Sequence, residues 1–440
     1  MRAVHSDLAV SEGWQHASLG KLLPLKYGKS LPAQLRDPNG THPVYGSSGM
    51  VGTHSAALTN GPTLIVGRKG NVGAIHYSAV PCWPIDTAYF VEAPVGHNLR
   101  YYKYLLESLN LVKLDRSTAI PGLSRDDYNA VEVSVAPPEQ QDEIVAEIEK
   151  QFSRLDEAVA NLQRVKANLK RYKASVLKDA VEGRLVPTEA ELARREGRSF
   201  ETGEQLLQRI LETRRSQWSG RGKFKAPDAP ETIGLVESPS GWVWASVAQL
   251  ADVISGLTKN PSRETLPLKL PYLRVANVYA NELRLDDMAE IGVADHELQK
   301  LLVLKNDLLV VEGNGSTDQI GRVAKWDGSI SPCVHQNHLI KVRAIVAEPG
   351  WILNWLISPG GRKQIELVSS STTGLHTLSS GKVGRLPIPL PPVAEQKRIV
   401  LEIDRRLSLI RGVESEVDAN LKRAQALRQS TLSSAFQQVP

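Results

Sequence analysis

Residues 387–404 read PIPLPPVAEQKRIVLEID, and residues 137–149 read PPEQQDEIVAEIE. In both, prolines close a β-rich stretch, a short Glu/Gln run follows, and apolar residues then recur at helical spacing. Proline has no N–H to lose at a helix start, so each stretch reads as a strand turning into a helix. Upstream of each lies a second matching pair. Gly13-Trp14-Gln15-His16-Ala17-Ser18-Leu19 is echoed by Gly241-Trp242-Val243-Trp244-Ala245-Ser246-Val247. Between these anchors Pro81-Cys82 answers Pro332-Cys333, and Ser117-Thr118 answers Ser371-Thr372. The same pairs in the same order make an internal repeat of about 250 residues, too long for a solenoid. It is a globular domain plus a helix, written twice.

Each copy carries short β-rich segments set apart by Gly or Pro, at 62–68, 73–78 and 87–93 and again at 308–312, 320–326 and 337–343. A helical stretch follows in each, 99–111 and 351–366. The expected fold class is therefore mixed α/β: two repeated globular α/β domains separated by two long antiparallel coiled-coil helices. The boundaries read 1–136 for the first domain, 137–185 for the first long helix and 186–240 for a linker. The second domain is 241–390 and the second long helix 391–440. The linker holds an amphipathic stretch at 203–217 and then the Gly/Pro/Lys-rich GRGKFKAPDAPE.

From Glu139 to Glu182 there is no Pro or Gly, and Gly183 stands where a helix C-cap belongs. Ile148, Leu155, Leu162, Leu169 and Val176 form a heptad seam, with Ile144, Ala158, Val165 and Tyr172 as its expected companion. The second helix repeats the seam as Ile403, Ile410, Val417 and Ala424, flanked by Ile399, Val413 and Leu427. A third row, Val145, Phe152 and Val159 with Val400 and Leu407, exceeds what a two-helix seam uses. It either covers the flanks of the globular domains or docks a partner. The partner reading makes those five residues the docking residues.

The chain has 440 residues, 41% apolar and 23% charged, with a net charge of +5 and a pI near 9.0. These are globular values, mildly basic, and compatible with nucleic acid without demanding it. No uncharged apolar run is long enough for a membrane span, and residues 1–10 lack the apolar core of a signal peptide. Two cysteines make neither a disulfide framework nor a cysteine zinc site. A reducing cytoplasm is the expected location.

Candidate contact residues follow from chemistry. Arg68, Lys69 and Asn71 lie in a Gly-rich segment, 67–73, whose backbone N–H groups and cations suit phosphate, or which is a plain β-turn. Arg116, Ser117 and Thr118 in one copy, and Ser371, Thr372 and His376 in the other, sit in small polar loops of equivalent position. Arg274 and Asn277 are candidates for base edges. His335 and His338 lack the further ligands a zinc site needs, so a structural or DNA-facing role is expected. The Gly-rich 312–315 reads as a turn. No Walker A loop, methyl-donor motif or metal cluster is legible, so no cofactor and no catalytic residue is expected.

These motifs resemble the specificity subunit of type I restriction–modification systems. The carrying segments are the two Gly-Trp openings, 387–404, 137–149, 175–187 (SVLKDAVEGRLVP) and 45–76. The resemblance spans essentially the whole chain. It implies that each globular domain is a target-recognition domain reading one half of a split site on double-stranded DNA. It further implies that the helices pack antiparallel and hold the domains apart. DNA methyltransferase subunits, two of them, then dock on the chain, with motor/nuclease subunits joining, and the chemistry belongs to those partners. One departure stands out: the first copy has Glu139-Gln140-Gln141 directly after its prolines, whereas the second has the fuller Val393-Ala394-Glu395-Gln396. The rival readings are a stand-alone restriction or methylation enzyme, which lacks its motifs here, and a coiled-coil scaffold, which does not need two globular domains.

Overall fold

A computed structural model describes residues 13–92, 96–115, 121–220, 222–316, 319–372 and 375–436. The chain divides into two compact units, residues 1–165 with 416–440, and residues 166–415. The division falls inside both long helices, Pro138–Val181 and Val393–Phe436. Among the described residues no helix is long and apolar enough to cross a membrane.

The first unit is built on an antiparallel sheet whose strands run in the order Lys26–Tyr27, Ala88–Glu92, Thr63–Gly67, Ile75–Ser78. Thr63–Gly67 is wholly buried, as a β-branched and aliphatic run at a sheet centre should be. A second sheet orders Gly49–His54, His42–Gly46 and Trp83–Pro84, with the last pair parallel. A third pairs Gln15–Ser18 with Glu132–Val135. Helix Leu99–Ser108 lays Tyr101, Leu105 and Leu106 on this core.

The second unit repeats these three sheets in the same strand order and adds two small ones. Its four-stranded sheet runs Ala251–Ser255, Leu339–Ala344, Leu308–Val311, Val323–Lys325. Its three-stranded sheet runs Ala289–Gly292, Lys269–Leu273, Val334–His335, again with one parallel pair. Val243–Ser246 pairs with Pro387–Leu390. Cys82 and Cys333 are both fully buried, each directly before the parallel strand of its copy. The helical stretch expected over 351–366 is two helices, Pro349–Ile357 and Pro359–Val368. Pro359 cannot donate to the preceding turn, and Ser358 caps the new helix by accepting from the Gly361 N–H at 3.1 Å.

The twice-written motifs meet in space. In the first unit the Trp14 indole N–H donates to Gln140 at 3.2 Å; in the second, Trp242 donates to Glu395 at 3.0 Å. The next residue is a buried glutamine that stitches three segments. Gln141 accepts from the Asn98 N–H at 2.9 Å and donates to the Ala136 carbonyl at 2.9 Å. Gln396 accepts from the Glu348 N–H at 2.8 Å and donates to the Pro391 carbonyl at 2.7 Å. Asn98 and Glu348 each cap the helix that follows, so one side chain fixes a helix start against the strand exit. Both glutamines reach the carbonyl five residues back, which aligns Pro137 with Pro392 and Pro138 with Val393. The first copy is therefore not shortened; its prolines are displaced by one position.

Glu395 differs from Gln140 in carrying an ionisable group at a fully buried position. Its second oxygen accepts from the Glu189 N–H at 2.8 Å. Burial pushes this carboxyl up to about 7, against the pull of its two N–H donors and of Arg398. A pKa raised on folding contributes stability below the unfolded carboxylate range and loses it as pH climbs through the folded value. The second unit should therefore lose on the order of 3 kcal/mol between pH 4.5 and 7 from this group. Glu395→Gln should flatten that slope, even though its amide no longer accepts from Glu189. Urea midpoints at pH 5 and pH 8 measure it; an unchanged slope would assign the pH dependence elsewhere.

The long helices correct the expected heptad register. Ile148 and Val176 are buried, and so are Ile403, Ile410, Val417 and Ala424. Of the expected companion row Ile399 is buried and Ile144 half-buried, but Ala158, Val165, Tyr172, Val413 and Leu427 are exposed. The second row of the seam is instead Val145 and Phe152, continued by half-buried Val159, with Leu407 buried and Val400 half-buried on the second helix. Val145 and Phe152 pack with Tyr104, Leu432 and Phe436 inside the first unit, and Val400 and Leu407 pack in the core of the second. Val145, Phe152 and Leu407 are committed to a core and have no face left for a partner, whereas Val159 and Val400 stay half-buried. Within the first unit the two helices run antiparallel, since Asp156 pairs with Arg428 at 2.7 Å while Gln151, earlier on one helix, accepts from Thr431, later on the other, at 3.4 Å.

Residues 186–240 are more than a linker with one strap. Glu189–Glu196 and Gly203–Ser216 are helices, each opened by a capping box, at Thr188/Glu191 and Thr202/Gln205. Leu206 and Ile210 are buried in the core of the second unit. Glu189 binds Arg198 at 2.7 Å and Arg398 at 2.6 Å, tying this segment to the start of the second long helix.

Candidate nucleic-acid interface

In the first unit the segment after the central strand is a tight, glycine-dependent loop. The Gly73 N–H donates to the Gly67 carbonyl at 2.8 Å. A Cβ on Gly67 would lie 2.0 Å from the Asn71 carbonyl oxygen, so only glycine fits there. Arg68 and Lys69 are pinned by their backbone to Thr87, at 3.0 and 3.1 Å. Lys69 and Asn71 are exposed, and Arg68 is half-buried. Arg68 donates to the Asp86 carbonyl at 3.1 Å, with its guanidinium 5.1 Å from the Tyr27 ring centre.

The fold then brings the second candidate segment alongside. Lys69 bridges to Gly122, and the Leu123 N–H donates to the Arg68 carbonyl at 2.9 Å. Arg116, Ser117 and Thr118 lie just upstream, outside the described residues. Just downstream Ser124 caps the short helix Arg125–Asn129, and the exposed Arg125 guanidinium lies 5.8 Å from the Tyr27 ring centre. Neither Tyr27 nor Arg125 is marked by any local motif.

The second unit makes the same juxtaposition with different backbone. Ser370–Thr372 and Leu375–Thr377 are not a loop but the strands of a hairpin. Gly313–Asn314, expected to be a turn, is a third strand on it, pairing Gly313 with Thr377 and Asn314 with His376. Thus the half-buried His376 stands beside the segment that follows the central strand Leu308–Val311, and Ser371 and Thr372 lie one strand further out. In both units the post-strand segment meets the segment preceding a short helix, Arg125–Asn129 in one and Ser380–Arg385 in the other.

Two candidates are corrected by their hydrogen bonds. Asn277 is buried, accepts from the Arg274 N–H at 2.8 Å, and donates to the carbonyls of Arg284 and Asp287 at 2.8 and 2.9 Å. Its amide is spent on closing the 274–288 excursion and reads no base. Arg274 is held by Asp287 at 2.8 Å. His335 is buried, with Nδ1 3.0 Å from the Leu339 carbonyl, and burial together with Lys341 pushes its pKa down to about 4. It is a neutral core histidine. His338 is exposed and lies 2.9 Å from Glu312. Among the described residues no three His, Cys, Asp or Glu side chains gather as a metal site.

Residues 11–171 match the family of type I restriction modification DNA specificity domains. Over 429 residues the chain is 21% identical to the type I restriction enzyme EcoDI specificity subunit of Escherichia coli, covering 96% of this chain and 88% of that one. Over 193 residues it is 27% identical to the EcoKI specificity subunit of E. coli K12, covering 42% of this chain and 40% of that subunit. A solved chain from a study of complex assembly and conformational transition in the type I restriction–modification system shares the fold. It aligns at a TM-score of 0.61 and 17% identity, over 98% of this chain and 99% of that one. Residues 11–171 thus carry the sequence pattern of a type I restriction modification DNA specificity domain, and the chain as a whole is similar to type I specificity subunits.

Proposed function

We propose that this chain reads a bipartite target on double-stranded DNA for a type I restriction–modification complex and carries no chemistry of its own. Each globular unit takes one half of the target. Arg68, Lys69 and Asn71 with the 116–118 segment serve one half; Ser371, Thr372 and His376 serve the other. DNA methyltransferase subunits, two per chain, supply methylation, and motor/nuclease subunits join them in the cytoplasm. The observation that supports this reading is the duplication of three sheets in the same strand order, with the segment after each central strand meeting the segment before a short helix. Repeated readers suit a split site.

The purified chain, given duplex DNA, S-adenosylmethionine, ATP and magnesium, should neither methylate nor cleave. Adding its methyltransferase subunit should restore methylation at a two-part sequence. Turnover by a preparation free of that subunit would mark the chain as an enzyme in its own right.

A further inference from the structure

The first unit gathers two guanidinium groups around one exposed aromatic ring. Tyr27 is 51% exposed and stands edge-on against Tyr89, ring centres 5.0 Å apart. The Arg68 and Arg125 guanidiniums lie 5.1 and 5.8 Å from the Tyr27 ring centre, and Lys69 follows Arg68 in the chain. Among the described residues none of these three cations is paired with a carboxylate; Arg68 finds only the Asp86 carbonyl. Some cations of this unit do have carboxylate partners: Lys26 has Glu92, Arg100 has Glu149 and Arg428 has Asp156.

Like charges gathered without counter-ions repel, and a ring face offsets only part of that. The arrangement is stable in water but is improved by an anion, and a phosphodiester strand supplies anions at regular spacing. The backbone of the cluster is fixed from three directions: Arg68 and Lys69 by Thr87, Leu123 by Arg68, and Arg125 by the capped turn at Ser124. Cations on so rigid a base hold a strand in register.

We propose that Tyr27 and Arg125, with Arg68 and Lys69, form a clamp on the phosphodiester backbone of the first half-site. This rests on the reading of the chain as a DNA-recognition subunit. The clamp positions the duplex and reads no base; Tyr27 holds the guanidiniums through its ring face, not its hydroxyl.

The test uses the full chain assembled with its methyltransferase subunits, on a duplex carrying the mapped target, over a range of salt. Arg125→Ala and Tyr27→Ala should each weaken binding by about 10-fold, and Arg125→Ala should reduce the slope of log affinity against log salt by about 1. Tyr27→Phe and Arg125→Lys should stay near the parent. The methylated sequence, mapped on a random library, should be the same for every variant. Thermal unfolding of each variant separates lost contact from lost fold. Parent-like affinity and salt slope in well-folded Arg125→Ala, or an altered base preference in either alanine variant, would overturn the clamp. A parent complex that methylates no defined sequence would instead overturn the recognition reading, and the clamp with it.

Discussion

Replacing residues 13–136 with the matching domain of another specificity subunit should change one half of the methylated sequence and leave the other half intact. Each unit has its own sheets and its own core, and among the described residues no strand of one copy pairs with a strand of the other. The old site should then be bound no better than random DNA, a loss of about 10³-fold or more, because specific and non-specific affinities differ by at least that. The incoming domain must keep a tryptophan to meet Gln140 and an apolar surface to meet Val145 and Phe152. Methylation mapping on a randomised library decides the matter. A change in both halves, or in neither, would show that the units do not read independently.

The second large effect belongs to Phe152. It is only 4% exposed, stands edge-on to Tyr104 at 5.7 Å, and has the Arg428 guanidinium 4.0 Å from its ring centre. Phe152→Ala should cost about 3–5 kcal/mol. That is a large share of the roughly 5–15 kcal/mol that holds a domain folded. Phe152→Asp should cost more, since a lone carboxylate is buried in its place. The loss should fall on the first unit, so that one unfolding transition moves down in urea while the other stays put. Fluorescence and circular dichroism followed together read it. A variant that keeps its unfolding midpoint but loses a partner subunit would return Phe152 to the surface.

That residue also shows where sequence reading stops. The seam through Ile148 and Val176 was legible because every seventh residue is apolar. Its companion row was not, because a heptad allows a partner either three or four residues away. Ile144 and Val145 satisfy the pattern equally. What decides is the presence of Tyr104, Leu432 and Phe436, which lie far off in sequence. The repeat, the central strands and the Gly183 cap were local signals and emerged where expected. The hairpin at 370–377 was not, since a short polar strand has no alternation to betray it. Thr188-x-x-Glu191 was a legible capping box inside a segment whose polarity suggested a linker. Asn277 looked like a base reader by residue type alone, and only its three bonds show that it is occupied. Tyr27, Arg68 and Arg125 come from three separate segments, so their cluster exists only in the fold.

Leu432 and Phe436 close the core of the first unit, with Phe436 edge-on to Tyr101 at 5.2 Å. A ribosome makes Tyr101 long before it makes Phe436. Throughout synthesis of the whole second unit the first one waits with part of its apolar surface bare. Domains usually fold in order of emergence; here the first to emerge is the last to be completed. A nascent chain stalled after residue 415 should therefore be held by chaperones or cut by proteases in its first half, although every strand of that half is already present.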